Sequence, residues 1–228
     1  PPIVAGSSDP LLEWALRESG SGLAILSTGS SEGLLRLART EATAAALHLR
    51  DPESGDYNLP ALREGTGLYD VVLLHWAWRE QGLVVAPGNP LKLQSLRDVI
   101  ERQARLVARQ EGAGAQQLLM QLLEEAGLEP EQLNVLSGRA LTESDVATRV
   151  ADGEADCGLA VASVARRFRL GFVPLARERF DIALRRRSYF QPPLQALFDF
   201  ARTAGFAEKA EALGGYDVSE VGKVLFAG

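Results

Sequence analysis

Apolar and polar positions along the chain alternate between two periods: short continuous apolar runs, and stretches in which apolar residues recur every three or four positions. The runs at 3–5, 23–26, 43–49, 71–76, 82–86, 105–108, 134–136, 157–161, 172–175 and 181–184 predict strands. The periodic stretches at 10–18, 32–40, 95–103, 115–126, 144–151 and 162–168 predict helices. A last helix is expected over 193–213, with QPP at its start and LGGYD at its stop. Strand and helix in alternation predict an α/β protein with mainly parallel sheets. The turn cluster APGNP, and RERFDIALRRR as a strand standing apart from the last βα unit, mark two crossings between lobes. The chain passes outward near 82–87 and returns near 178–183.

One phrase is written twice, GSSDPLLEWAL at 6–16 and GSSEGLLRLAR at 29–39, each after a short apolar run. Both are polar turns that open directly into a helix. QEGAGAQ at 110–116, LTESD at 141–145 and, more weakly, LKLQSL at 91–96 have the same form. In open α/β sheets, ligands bind beyond the carboxyl ends of the strands, where helix N-termini offer free amides and a positive dipole end. Ser, Thr and Asp before a helix are also ordinary N-caps, and Asp9 followed by Pro10 is a good cap and first-turn pair. Capping accounts for any one of these turns; four of them on two lobes, two nearly identical, bring a ligand site into consideration beside it.

Composition and charge remove other classes. The 228 residues suffice for one large domain or two lobes, and no apolar run approaches the ~20 residues of a membrane helix. A formal net charge of -6, with basic residues dispersed, argues against a grip on nucleic-acid phosphates. The one dense basic run, Arg185 to Arg187, is short and reads as a solvated strand end. The lone Cys157 permits no internal disulfide, which suits a reducing, cytoplasmic setting. The chain opens on PPIVAG with neither an initiator Met nor a signal-peptide pattern, so a flanking partner domain is expected outside it.

Chemistry-bearing patterns are few. Gly29-Ser30-Ser31-Glu32-Gly33 matches G-x-S-x-G, and Ser31, Asp51 and His75 occur in the chain order of a hydrolase triad, but no strand-rich half precedes them to build the sheet. GAGAQQ lacks the third glycine of a dinucleotide fingerprint, and the acids of DPESGD miss the calcium-loop spacing. Two His and one Cys lack zinc-ligand spacing. Trp76, Trp78, Tyr57 and Tyr69 are candidates for a pocket lining or for core. No catalytic residue, metal or cofactor is expected.

The stretches GSSDPLL, GSSEGLLRLARTEATAAALHLRDPESGDYN, REQGLVVAPGNP, ARQEGAGAQ, VADGEADCGLAV, GFVPLARERFDIAL and LGGYDVSEVGK together carry a resemblance. In this order they resemble the periplasmic-binding-protein-like domain of bacterial regulators, often attached to a helix-turn-helix or molybdopterin-biosynthesis module and related to molybdate-binding proteins. The resemblance implies a type II periplasmic-binding-protein fold, similar also to LysR-type effector domains. It would have two α/β lobes, 1–83 plus 177–228 and 84–176, joined by two hinge strands around an interlobe cleft. It further implies ligand contacts from Ser7, Ser8, Ser30, Ser31, Tyr57 and Asn58, facing Arg109, Gln110, Gly112, Ala113, Gly114, Ala115 and Gln116 and the turn holding Thr142 and Ser144.

This chain departs from the family pattern R-Q-x-G-S-G-T-R, because Ala113, Ala115 and Gln116 stand where the family carries two hydroxyls and an arginine. Asp9, Glu32, Glu111 and Glu143 add negative charge nearby. Molybdate or tungstate is therefore one candidate ligand beside a small neutral or zwitterionic metabolite. The expected role is the sensor domain of a transcriptional regulator, signalling by lobe closure and reaching DNA only through a fused helix-turn-helix domain. A solute receptor of an ABC-type uptake system is the alternative, a serine hydrolase using Ser31 the third. No membrane contact is expected, and a homodimer is left open.

Overall fold

The computed structural model describes residues 2–64 and 67–228. The chain begins β1 (Ile3–Gly6), α1 (Pro10–Glu18), β2 (Ala24–Ser27), α2 (Ser30–Ala38), β3 (Ala44–Leu47), α3 (Leu59–Arg63) and β4 (Val71–Val85). It continues α4 (Leu96–Glu101), β5 (Arg105–Val107), α5 (Gly114–Glu125), β6 (Asn134–Val135), α6 (Glu143–Ala151), β7 (Cys157–Val161) and α7 (Ala162–Arg167). It ends β8 (Gly171–Arg185), α8 (Arg186–Tyr189), α9 (Pro192–Phe200), α10 (Ala204–Leu213), β9 (Tyr216–Asp217) and β10 (Val224–Ala227).

Two compact units divide these elements: Pro1–Trp78 with Glu178–Gly228, and Arg79–Arg177. In the first unit the strand order is β2-β1-β3-β8. β1 runs parallel to β2 and β3, β3 antiparallel to β8, and β10 antiparallel to β4. In the second unit the order is β4-β7-β5-β6, with β5 parallel to β6 and β7, and β4 antiparallel to β7. The parallel pairs predicted from strand and helix alternation are present. The antiparallel pairs arise where β4 and β8, the strands common to both units, join each set.

Local sequence explains the individual elements. Asp9 caps α1 by accepting from the Leu12 N–H at 2.9 Å, Pro10 occupies the first turn, and Leu11, Leu12, Ala15 and Leu16 form its buried stripe. Those residues pack with Trp76, Phe180, Phe198 and Phe206 in the larger core of the first unit. β3 is four consecutive buried small or aliphatic residues, as a strand covered on both faces requires. In the second unit, Leu83, Leu106 and Leu159 pack against the α5 stripe of Ala115, Leu118, Leu119 and Leu123.

Three expectations are corrected. The runs at 71–76 and 82–86 are one strand, β4, and those at 172–175 and 181–184 are one strand, β8. Polar residues between the apolar runs suggested interruptions, yet Arg79, Gln81 and Glu178 are all buried within continuous strand. The single helix expected over 193–213 is two, because the Thr203 hydroxyl caps a new start by accepting from Phe206 N–H at 3.3 Å. Arg185 ends β8, while Arg186 and Arg187 open the short α8 instead of extending the strand.

Candidate functional site

The duplicated phrase forms two adjacent βα turns of the first unit, β1 to α1 and β2 to α2. Their close approach depends on glycines. Gly6 has φ +116°, and a Cβ there would lie 2.3 Å from the Ala46 carbonyl oxygen. A Cβ on Gly33 would lie 2.4 Å from Gly6 Cα, so α2 is seated directly on the end of β1. The closing glycine of G-x-S-x-G therefore has a packing role.

The four serines of these turns divide into two pairs. Ser7 and Ser30 are buried, with their Oγ atoms 2.6 Å apart, and Ser30 Oγ also accepts the His48 main-chain N–H at 3.0 Å. Whichever hydroxyl donates to the other, the pair keeps one O–H proton to give. Ser8 and Ser31 are exposed. Capping does not explain the motif: the cap bond of α1 comes from Asp9, and the N-cap position of α2 is Gly29, which makes no side-chain cap bond. Asp9 is itself held by Tyr216, whose hydroxyl donates to Asp9 Oδ1 at 2.6 Å.

Tyr57 and Asn58 are also buried in this unit. Asn58 adopts φ +64°, and its side chain is committed to the protein. Its Nδ2 donates to Leu47 O at 3.2 Å and to Asp181 Oδ2 at 2.8 Å, while its Oδ1 accepts from Leu49 N at 2.7 Å. Asp181 also accepts from His75 Nδ1 at 3.1 Å and from Arg179 Nε at 2.8 Å. Charged residues this deeply buried are rare unless paired, so RERFD within an otherwise apolar strand was the available signal for the cluster.

In the second unit, the strand end and helix start expected at 109–116 are present, with Gly112 at φ +83°. The Arg109 main-chain N–H is taken by Gln116 Oε1 at 3.0 Å. Its guanidinium donates to the carbonyls of Ala140 and Leu141, both at 3.3 Å. Burial lowers its pKa, opposed by the charges of Glu143 and Asp145. Gln110 is exposed, whereas Ala113 and Ala115 are buried, the latter in the α5 core stripe. The Thr142 hydroxyl caps α6 by accepting from Asp145 N at 3.0 Å, so capping does explain this turn; Ser144 is half-buried in its first turn.

The structure does not assemble a hydrolase triad from Ser31, Asp51 and His75. Asp51 accepts from the Ser54 N–H and hydroxyl at 2.7 and 2.6 Å, and His75 is committed to Asp181. Among the described residues no group of three or more His, Cys, Asp or Glu is placed to hold a metal ion, and no helix is long and apolar enough to cross a membrane.

A chain with this strand order and these helix-start turns has the architecture of a ligand-binding α/β domain of the type II periplasmic-binding-protein class. Residues 12–202 match the PBP superfamily domain, and the chain belongs to that superfamily. The uncharacterized protein YvgK of Bacillus subtilis is 27% identical over 197 residues, covering 86% of this chain and 63% of that protein. The chain thus spans less than two thirds of this relative. Among solved structures it is similar to a hydrogen-peroxide-bound mutant of OxyR from Corynebacterium glutamicum, with TM-score 0.64 and 14% identity over 92% of this chain and 65% of that one. It is equally similar to the tungstate ABC transporter structure from Geobacter sulfurreducens, with TM-score 0.64 and 13% identity over 92% and 97%.

Proposed function

We propose that this chain is the ligand-sensing domain of a bacterial transcriptional regulator. Its contact surfaces are the Ser7–Ser8, Ser30–Ser31 and Tyr57–Asn58 segments of one unit and the 109–116 and 142–144 turns of the other. The observation that carries the reading is the buried Ser7–Ser30 hydroxyl pair at two helix starts, which caps neither helix and retains a proton to donate. Arg109 commits two of its five guanidinium N–H groups to backbone carbonyls, and hydroxyls and main-chain amides supply most of the other donors of the candidate contact set. Such donors suit a small oxyanion such as molybdate or tungstate, or a small polar metabolite. The signal would be a shift between conformations that bind the ligand unequally, read out by an attached helix-turn-helix domain.

The solute receptor of an ABC-type uptake system is the second reading, favoured by likeness to nearly the whole of the tungstate transporter chain. The sequence flanking this chain in its gene separates the two: a helix-turn-helix segment supports the regulator, an export signal the receptor. A thermal-shift screen of molybdate, tungstate, sulfate, phosphate and small polar metabolites tests the binding reading itself. A ligand at one hundred times its dissociation constant adds about 2.7 kcal/mol of stability. No shift with any oxyanion removes the molybdate-like reading.

A further inference from the structure

In the first unit, three charged side chains of β8 lie outside the candidate contact set and converge on the segment that follows β3. Glu178 and Asp181 are 2% and 0% exposed. Successive strand residues point to opposite faces, so this short piece of strand works in two directions. On one face Glu178 Oε2 accepts from His48 Nδ1 at 3.1 Å, and the His48 ring stacks on Phe180, two residues along, at 5.9 Å. On the other, Arg179 donates to Asp181 Oδ2 at 2.8 Å, to Asp56 Oδ1 at 3.2 Å and to the Tyr57 carbonyl, with its guanidinium over the Trp78 ring. Asp181 then holds Asn58.

Burying charge is a poor way to add stability, since apolar side chains of similar volume often do as well or better. What these bonds accomplish is placement. His48, fixed by Glu178, donates its main-chain N–H to Ser30 Oγ at 3.0 Å, and Ser30 Oγ meets Ser7 Oγ at 2.6 Å. Tyr57 is fixed through its own carbonyl. We infer that Glu178, Arg179 and Asp181 are positioning residues of the ligand-contacting segments: Glu178 sets Ser30 through His48, and the Arg179–Asp181 pair sets Tyr57. The inference rests on the ligand reading above for what is positioned, and on the hydrogen-bond geometry for how.

Amide hydrogen exchange on the full chain tests it residue by residue. Glu178→Met keeps volume but removes the acceptor, and is expected to speed exchange of the His48 N–H more than tenfold while the β3 amides at 44–46 keep their rates. Glu178→Gln, whose carbonyl still accepts from Nδ1, is expected to restore the wild-type rate. Arg179→Met is expected to speed exchange by a similar factor at Leu49 and Asn58, which bond each other through Leu49 N to Asn58 Oδ1 and Asn58 N to Leu49 O. Unchanged rates at His48, Leu49 and Asn58 overturn the inference. So does acceleration in step with β3, or failure of both Met variants to fold, because each assigns the charges to stability alone. In calorimetric titrations with sodium tungstate, Glu178→Met is expected to bind at least tenfold more weakly than wild type, and full-strength binding overturns the inference. Absence of tungstate binding in wild type overturns the oxyanion reading only, with exchange still deciding the positioning.

Discussion

Ser30 accepts a main-chain N–H from His48 and shares a hydroxyl contact with Ser7, whereas its neighbour Ser31 lies on the surface. Removing Ser30 Oγ strands the His48 amide, so Ser30→Ala is expected to cost about 1–3 kcal/mol of stability. Ser31→Ala is expected to stay within about 0.5 kcal/mol of wild type, as for an exposed position without structural bonds. Urea midpoints at constant slope measure both, and equal losses would contradict this division. The sequence displayed all four serines at helix starts but could not divide them. That division depends on Gly33 meeting Gly6 and on His48 arriving from another strand, contacts that no local pattern encodes. The same limit hid the Arg109 arrangement: Gln116 reads as a lost arginine in the motif, and only the fold shows its carbonyl covering the Arg109 N–H.

At the scale of elements, helix positions were legible wherever an apolar stripe met a cap, as in α1 with Asp9 and Pro10. They were misread where the cap lay inside the stripe, as at Thr203, which splits one periodic stretch into α9 and α10. β4 and β8 were each read as two strands because buried Arg, Gln and Glu look like loop residues until their partners are known. Charge also ties elements together in the second unit. Arg105 at the start of β5 bonds Asp156, just before β7, through Nε and Nη2 at 3.1 and 3.0 Å. The Arg105 hydrogen bond holds the Asp156 carboxyl below its ordinary value. A lowered folded-state pKa contributes stability above the unfolded pKa and loses it as pH falls through the folded value. The melting-temperature advantage of wild type over Asp156→Asn is therefore expected to be present at pH 7 and to shrink below about pH 4. An advantage unchanged at pH 3 would show that the carboxylate charge is not its source.

For the molecule as a whole, the α/β class and the order of its parts followed from strand and helix alternation. The cores that hold each unit together draw on residues far apart in sequence, as Leu12 packs in one cluster with Phe180 and Phe206. Cys157, at the start of β7, has no solvent exposure, and burial pushes its thiol up to about 12. It is expected to resist a disulfide reagent at pH 8 in the native protein and to react only as the second unit opens. Rapid labelling of the native protein would contradict its place in that core.

The division of the chain also sets the order in which it can fold during synthesis. Arg79–Arg177 is one uninterrupted stretch and is complete once residue 177 has emerged, whereas the first unit waits for the chain to return. Until then β3 lacks its antiparallel neighbour, since Ala44 to Leu47 pair with Leu184 to Asp181. The nascent polypeptide thus holds an apolar four-residue strand with an unpaired edge for the time taken to synthesise more than a hundred residues, at roughly 5–20 residues per second. Residues 79–177 are free to mature before the segment that precedes them, and that segment, with its unpaired β3 edge, is the part more in need of protection on the ribosome.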